Sequence, residues 1–292
     1  MIVVLKNKSY SAKIDSFGAQ LISFSDGETE YIWQREKPYW EKCTPILFPV
    51  VGRCLDGVIN VDGKDYNMPL HGFASDMEFE VVNETDNKAT FLLKSNEETL
   101  KSYPFEFKLY VTFSIDEKGI KTEMKVVNSG DNEMFFGIGG HPGICSPLFE
   151  GDTFEDYRLE FDKEYKLMAI GCDDEINILP EPKCEVKLEG KKLPLKRELF
   201  DNDAIVIEDA PFTSVKFLNK ENKGIDFVFS NFNSFAVWTH ALPEKAPFVC
   251  LEPWNSMGKR KGETTALKDK FDIVSLEKDM EFVCSYSINP IK

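Results

Sequence analysis

Long hydrophobic runs are missing from this chain. The amino-terminal segment MIVVL is too short for the apolar region of a secretion signal. The segment PILFPVV, residues 45–51, is interrupted by prolines and is too short to cross a bilayer. We therefore expect a soluble, cytoplasmic protein that does not bind a membrane.

Paired cysteine motifs are also missing. The seven cysteines are odd in number and form no C-x-x-C pair, which argues against a disulfide framework and against a zinc site. The glycines of residues 137–143 do not match the phosphate-binding pattern G-x-G-x-x-G followed by a helix. The sequence thus predicts a reducing compartment and no metal.

Positive charge is in deficit. Lysine and arginine number 35 against 50 acidic residues, a formal net charge of −15. A chain this acidic repels a phosphate backbone, so we expect no nucleic-acid partner. By contrast phenylalanine is abundant, with 24 residues among 13% aromatics, and aromatic residues favour strands.

The clearest periodicity in the chain is two residues long. Apolar residues alternate with polar ones from Phe105 to Ile115, and again on the return from Ile120 to Val126. Similar hairpin patterns occupy residues 58–66, 79–94 and 214–230. They predict an all-β fold of large antiparallel sheets with few short helices. The absence of a linker predicts a single domain over residues 1–292.

Two local features depart from this strand pattern. Ser95 and Glu98 resemble a capping box, and Pro104 follows, so a short helix is predicted over residues 95–102. Residues 179–197 are rich in proline and lysine, which indicates an irregular surface loop or an edge segment.

The chain has only three histidines, and two of them lie in turns rich in glycine and proline. His71 lies in LHGFASD, His141 in GIGGHPG, and Glu252 in CLEPW. Histidine and a carboxylate together can supply an acid and a base near neutral pH. Each residue also has a purely structural interpretation. His71 could be a turn histidine bonded to the backbone, His141 could be incidental to a tight connection, and Glu252 could be a solvated side chain.

Four further residues are candidates for binding a polar ligand. Arg53 could hold hydroxyl groups or form a surface ion pair, and Asp203 could do so or simply terminate a turn. Trp238 and Trp254 could stack on a sugar ring or fill the core. The third histidine, His240, lacks such a turn and is predicted at a rim or surface. Cys145 is interpreted as a small buried thiol rather than a nucleophile.

Four motifs in order, PILFPVVGR, LHGFASDMEFEV, FGIGGHPG and CLEPW, resemble the aldose 1-epimerase superfamily, in the branch similar to the LacX proteins of lactose operons. The resemblance extends over nearly the whole chain. It implies a galactose-mutarotase-like fold, a β-supersandwich with its site in a cleft on one sheet.

The resemblance also implies a function and a division of roles. The expected activity is that of a cofactor-independent isomerase of carbohydrate metabolism that interconverts the anomers of a hexose. It assigns His141 as general acid, Glu252 as general base, and His71 as the partner of the ring oxygen. The resemblance further matches Arg53 and Asp203 to positions that hold sugar hydroxyls. The expected partner is a small sugar, and the oligomeric state cannot be read from the sequence.

One residue departs from the family pattern. Many relatives carry an arginine directly after HGFA, whereas this chain has Ser75. The loss weakens the case for a hexose 6-phosphate as the substrate, although the basic residues 259–261 could compensate. A non-catalytic carbohydrate-binding protein remains an alternative, and a glycoside hydrolase is disfavoured because it normally uses two carboxylates.

Overall fold

The computed structural model describes residues 1–172, 178–240 and 246–292. In chain order the strands of the first half are β1 (Ile2–Lys6), β2 (Ser11–Asp15), β3 (Gln20–Ser25), β4 (Ile46–Leu47), β5 (Val58–Val61), β6 (Lys64–Asn67), β7 (Glu80–Glu84), β8 (Lys88–Lys94), β9 (Phe107–Ile115), β10 (Ile120–Asn128), β11 (Met134–Phe136), β12 (Ile138–Gly140) and β13 (Gly143–Cys145). Those that follow are β14 (Arg158–Glu160), β15 (Leu167–Cys172), β16 (Ile178–Val186), β17 (Lys192–Pro194), β18 (Ile205–Ile207), β19 (Ser214–Leu218), β20 (Gly224–Ser230), β21 (Ser234–Trp238), β22 (Phe248–Asn255), β23 (Val274–Leu276) and β24 (Glu281–Ile291).

Helices contribute little to the described residues. The α-helix is α1 (Thr99–Ser102). Short 3-10 helices occupy Leu55–Gly57, Ala74–Asp76, Phe154–Asp156, Arg197–Phe200 and Leu267–Asp269. No helix in the described ranges is long and apolar enough to cross a membrane.

The predicted start of α1 and its capping box are wrong. The helix begins at Thr99 rather than at Ser95. The Asn96 side chain accepts hydrogen bonds from the backbone N–H groups of Glu98 and Thr99, at 2.9 and 3.0 Å. The Ser95 hydroxyl instead accepts one from the N–H of Phe107, at 3.2 Å. The turn before the helix is therefore organised by asparagine, which commonly bonds its own local backbone.

The first large sheet has nine strands in the order β17-β14-β19-β20-β24-β10-β9-β8-β7. Its long hairpin of β9 and β10 pairs Ile115 with Ile120, and side chains along β9 alternate between buried and half-buried. The hairpins β5–β6, β7–β8 and β19–β20 form where the alternation predicted them. The prediction of antiparallel sheets is confirmed.

The second large sheet has eight strands. Seven follow the order β16-β15-β18-β21-β22-β12-β4, and β13 also pairs with β22. The prediction of an irregular stretch over residues 179–197 is wrong, because β16 and β17 occupy most of it. Its alternative, an edge segment, is confirmed, since each strand lies at the end of one large sheet.

The two large sheets pack face to face through phenylalanine side chains. Phe229 on β20 stacks on Phe235 of β21, with ring centroids 5.2 Å apart, and Phe227 lies 6.1 Å from the same ring. A separate, smaller apolar cluster lies on the second sheet and includes Leu47, Ala236 and Trp254. Since side chains alternate across a strand, Trp254 and Glu252 of β22 share one face. That face carries the candidate site.

Candidate active site

A cavity of about 890 Å³ lies on the second sheet. This volume is in the range of small-molecule binding sites. The cavity is lined by all seven residues that the sequence singled out for a role: Arg53, His71, His141, Asp203, Trp238, Glu252 and Trp254.

His141 and Glu252 meet at the floor of this cavity. Glu252 lies in the middle of β22, a strand buried along its whole length, opposite Ala236 of β21. His141 lies between β12 and β13. Its Nε2 atom is 3.2 Å from Oε2 of Glu252, and the two side chains are 9% and 1% exposed. The sheet thus brings together two groups separated by more than a hundred residues of chain.

The turn that carries His141 depends on a close approach between the two sheets. A Cβ atom on Gly140 would lie 2.5 Å from the ring of Tyr286, which belongs to β24 of the first sheet. Glycine is therefore required here to let the strand pack against the aromatic ring.

Burial sets the electrostatics of the pair. It lowers the pKa of His141 well below its ordinary value, with further contributions from His71 and Lys42. It raises the pKa of Glu252 well above its ordinary value, and the Asp203 carboxylate raises it further. Within the described ranges, Nδ1 of His141 has no hydrogen-bond partner, and Oε2 of Glu252 has none besides its contact with Nε2 of His141. Buried polar atoms normally have partners, so this pair is unusual for the interior of a sheet protein.

His71 is held from its backbone and from its ring. It adopts a left-handed conformation, with φ of 63°, and its N–H donates to the carbonyl of Gly52 at 3.0 Å. The N–H of Gly52 in turn donates to Nδ1 of His71 at 3.0 Å. Burial lowers the pKa of His71 to about 4, and Lys42 and Arg53 act in the same direction. The neutral ring must therefore carry its proton on Nε2.

Aromatic rings pack around His141. The ring of His141 lies 4.8 Å from that of Trp40, 5.5 Å from Trp238 and 5.6 Å from His71, measured between centroids. His240 lies beside Trp238 at 5.8 Å and is half-buried. Trp40 was missed by the sequence analysis, and its place in the aromatic segment PYW was the only available signal.

Asp203 and Arg53 contribute opposite charges to the cavity. Asp203 has a φ of 74° and lies just before β18, in a turn, as its structural alternative proposed. It nevertheless lines the cavity, close enough to raise the pKa of Glu252. Arg53 directly follows Gly52, also lines the cavity, and lowers the pKa of His71. Asp203 can therefore be a turn residue and also face the cavity.

A second residue missed by the sequence analysis is Lys42. Its ammonium donates to the Ser75 hydroxyl at 2.7 Å and contacts both carboxylate oxygens of Asp76, at 2.9 and 3.0 Å. Lys42 and Ser75 both line the cavity. A single lysine in the polar segment WEKC carried no sequence signal. The structure thus places a cation beside Ser75, where the family pattern has an arginine.

The basic residues 259–261 do not provide that cation. None of them lines the cavity. The Arg260 guanidinium instead pairs with Glu208 at 2.8 Å and lies over the ring of Phe271. The expectation that this segment compensates for Ser75 is therefore wrong.

Cysteine chemistry is disfavoured at the site. The potential ligand atoms of His141, Cys250 and Glu252 lie within 4.8 Å of one another. Burial, however, raises the pKa of the Cys250 thiol well above its ordinary value, and a metal would need the thiolate. Cys145 has its pKa raised to about 12 by burial and donates to the carbonyl of Ile32. Neither thiol has the environment of a nucleophile.

Comparisons with known proteins agree on one family. A family model described as aldose 1-epimerase matches residues 1–271. The chromosomal protein LacX of Lactococcus lactis subsp. lactis is 32% identical over 279 residues, which cover 92% of this chain and 93% of the relative.

Solved structures give the same result. A galactose mutarotase related enzyme from Lactobacillus acidophilus superimposes with a TM-score of 0.94 at 28% identity, covering 100% of this chain and 98% of the other. A galactose mutarotase-like protein from Lactobacillus casei gives 0.91 at 26% identity, with 100% of both chains covered.

Proposed function

The chain belongs to the aldose 1-epimerase family, and we propose that it is a cofactor-independent mutarotase that interconverts the α- and β-anomers of an unphosphorylated hexose. One observation carries the proposal: the contact of 3.2 Å between His141 and Glu252, both buried, in a cavity of suitable size. Simple binding of a sugar does not require an acid and a base at this separation.

The reaction moves two protons in opposite directions. Glu252 takes the proton of the anomeric hydroxyl, while His141 gives a proton to the ring oxygen. The bond between the anomeric carbon and the ring oxygen breaks, and the anomeric carbon becomes the carbonyl of an open aldehyde. Rotation about the first carbon–carbon bond and the reverse transfers then close the ring from either face.

The acid–base pair keeps the same number of protons throughout. Its reactive form is imidazolium and carboxylate, which becomes imidazole and carboxylic acid when the ring opens. Burial favours this neutral form, and attraction between the opposite charges at 3.2 Å favours the charged one. Opposing tendencies of this kind bring the two forms closer in free energy, as reversible proton transfer requires.

The surrounding residues take the remaining roles in this proposal. The Nε2–H of His71 donates to the ring oxygen, because the Gly52 N–H occupies the other ring nitrogen. Arg53 and Asp203 bind hydroxyls, and Trp238 and Trp254 contact the apolar faces of the sugar. Each of these side chains lines the cavity.

The charges of the cavity support an uncharged substrate. Three cationic and three acidic side chains line it, namely Lys37, Lys42, Arg53, Glu41, Asp203 and Glu252. A phosphate dianion would favour a surplus of positive charge, which this lining lacks. We also propose a reducing, cytoplasmic location, because the six cysteines with described side chains are free thiols.

The proposal is tested by two substitutions at the acid–base pair. Glu252→Gln and His141→Ala each remove one proton-transfer group, so we expect kcat for anomerisation to fall about 10²- to 10⁴-fold. Polarimetry on freshly dissolved α-glucose and α-galactose measures the rate. Glu80→Gln, an exposed carboxylate on β7, is the matched control and should retain the wild-type rate.

Two results would contradict the mutarotase proposal. The first is a wild-type rate in both pair variants with unchanged circular dichroism. The second is saturable sugar binding by the wild-type protein with no acceleration of mutarotation, which would establish a non-catalytic binding protein instead.

A further inference from the structure

Lys42 enters the cavity from an irregular segment that is tied to the catalytic turn. The segment joins β3 to β4 and also supplies Trp40, the ring closest to His141. The N–H of Gly143 donates to the carbonyl of Cys43 at 2.7 Å, and the N–H of Trp33 donates to the carbonyl of Gly143 at 3.0 Å. These bonds fix the backbone on both sides of Lys42 against the turn that carries His141.

The end of the Lys42 side chain is also fixed. A lysine side chain loses rotamer freedom when it is immobilised, so surface lysines are normally mobile. Here Ser75, 2% exposed, accepts one hydrogen bond from the ammonium, and both oxygens of Asp76 contact it. Asp76 does not line the cavity, whereas Lys42 and Ser75 do.

From this arrangement we propose that Lys42 is a substrate-contacting residue whose ammonium donates a hydrogen bond to a sugar hydroxyl, with Ser75 and Asp76 as its positioning residues. The inference rests on the mutarotase function proposed above. It assigns to Lys42 the binding of one particular hydroxyl, a role that no motif of the sequence indicated.

The contact with Asp76 determines which ligand group suits Lys42. The Asp76 carboxylate already balances the charge of the ammonium. A phosphate dianion would therefore gain little attraction from Lys42 and would be repelled by Asp76. A neutral hydroxyl oxygen only needs a donor. An ammonium has three N–H groups. If one donates to Ser75 and one is shared between the two Asp76 oxygens, the third is available to a sugar hydroxyl.

Lys42 lines the same cavity as His71 and His141. Its charge lowers the pKa of both His71 and His141. Because one cavity holds all three side chains, a sugar whose ring oxygen lies at the histidines can also present a hydroxyl to Lys42. Loss of the charge should let both histidines protonate at higher pH.

The first experiment replaces Lys42 by methionine, which keeps the apolar stem and removes the donor. A hydrogen bond from a charged group contributes about 1.5–3 kcal/mol, so kcat/KM for the free hexose should fall roughly 10- to 100-fold, mainly through KM. Lys94→Met is the matched control, because Lys94 pairs with Glu80 on strands β8 and β7 outside the cavity. Ser75→Ala should show a smaller loss than Lys42→Met.

The second experiment identifies the contact itself. The rates of wild type and Lys42→Met are compared on a hexose and on its 2-, 3-, 4- and 6-deoxy analogues. For the analogue that lacks the hydroxyl bound by Lys42, the substitution should cause little further loss, because the interaction is already absent. A structural role alone would reduce the rates on all analogues equally.

The outcomes separate the two proposals. If the wild-type protein does not accelerate mutarotation of any sugar, the mutarotase function fails. If it does, but Lys42→Met stays within twofold of Lys94→Met, or its loss is the same on every analogue, the role of Lys42 is overturned.

Discussion

At the scale of single residues, the catalytic machinery proposed here is costly to the folded state. Glu252 is 1% exposed, and burial raises its carboxyl pKa well above the ordinary value. The folded state therefore binds a proton at Glu252 at pH values where the unfolded chain has released it. Between the unfolded pKa and the higher folded pKa, stability falls as the pH rises.

This argument predicts that Glu252→Gln stabilises the protein while it removes activity. The neutral amide avoids the cost of ionising a buried carboxyl, so at pH 8 the free energy of unfolding should rise by about 1–3 kcal/mol. The gain should shrink as the pH falls toward the ordinary glutamate pKa of 4.5, because Glu252 then takes up a proton in the unfolded chain as well. Urea unfolding of wild type and variant at pH 5 and pH 8 measures it. A destabilisation that is the same at both pH values would contradict the electrostatic account.

The residue scale also shows what the sequence could not predict. His71, His141 and Glu252 were found because each lies in a short sequence motif with glycine or proline neighbours, and these motifs resemble those of the family. Trp40 and Lys42 were not, since neither belongs to a motif or a periodic pattern that indicates a binding role. The segment that carries them is held by backbone bonds of Trp33 and Cys43 to Gly143, about a hundred residues away in the chain.

At the scale of elements, the site depends on where turns lie against strands. Gly72, with φ of 75°, follows His71 and bridges to Phe48 after β4. A Cβ atom on Gly72 would lie 2.2 Å from the carbonyl oxygen of Phe48, which is backbone and cannot turn away. This contact holds the His71 turn in place.

The contact predicts a difference between two glycine substitutions. Gly63, in the β5–β6 turn, has a similar φ of 81° but nothing near its Cβ position. Gly63→Ala should cost about 1–2 kcal/mol of unfolding free energy, from the left-handed backbone alone. Gly72→Ala adds the steric clash, so it should cost more and also slow mutarotation by moving His71. Thermal unfolding and polarimetry on both variants test this, and equal costs in the two would contradict it.

Element prediction from the sequence succeeded where the signal is local. The hairpin of β9 and β10 follows from alternation within one stretch, and burial confirms it. The helix α1 was placed too early, because Asn96 bonds the local backbone and excludes the preceding residues. Residues 179–197 contain strands despite their prolines and lysines, as strands at sheet edges tolerate such residues.

At the scale of the whole molecule, the two large sheets have different roles: one supports the packing and the other carries the candidate site. The first sheet supplies the face on which the second sheet packs, through rings such as Phe229 and Tyr286. The second sheet carries the acid–base pair on its other side. The chain has a net charge of −15, yet the charged side chains that line the cavity are balanced. An acidic surface around a neutral cavity disfavours anionic ligands, in keeping with a free sugar as substrate.

The central claim is that this chain catalyses anomer interconversion of a free hexose. The most direct measurement is NMR exchange between the α- and β-anomers of glucose and galactose, and of their 6-phosphates, with wild-type protein and Glu252→Gln. We predict rapid exchange of at least one free hexose by the wild type, slower exchange of its 6-phosphate, and near-background exchange with the variant. Background exchange of every sugar with the wild-type protein, or an unchanged rate in Glu252→Gln, would contradict the claim.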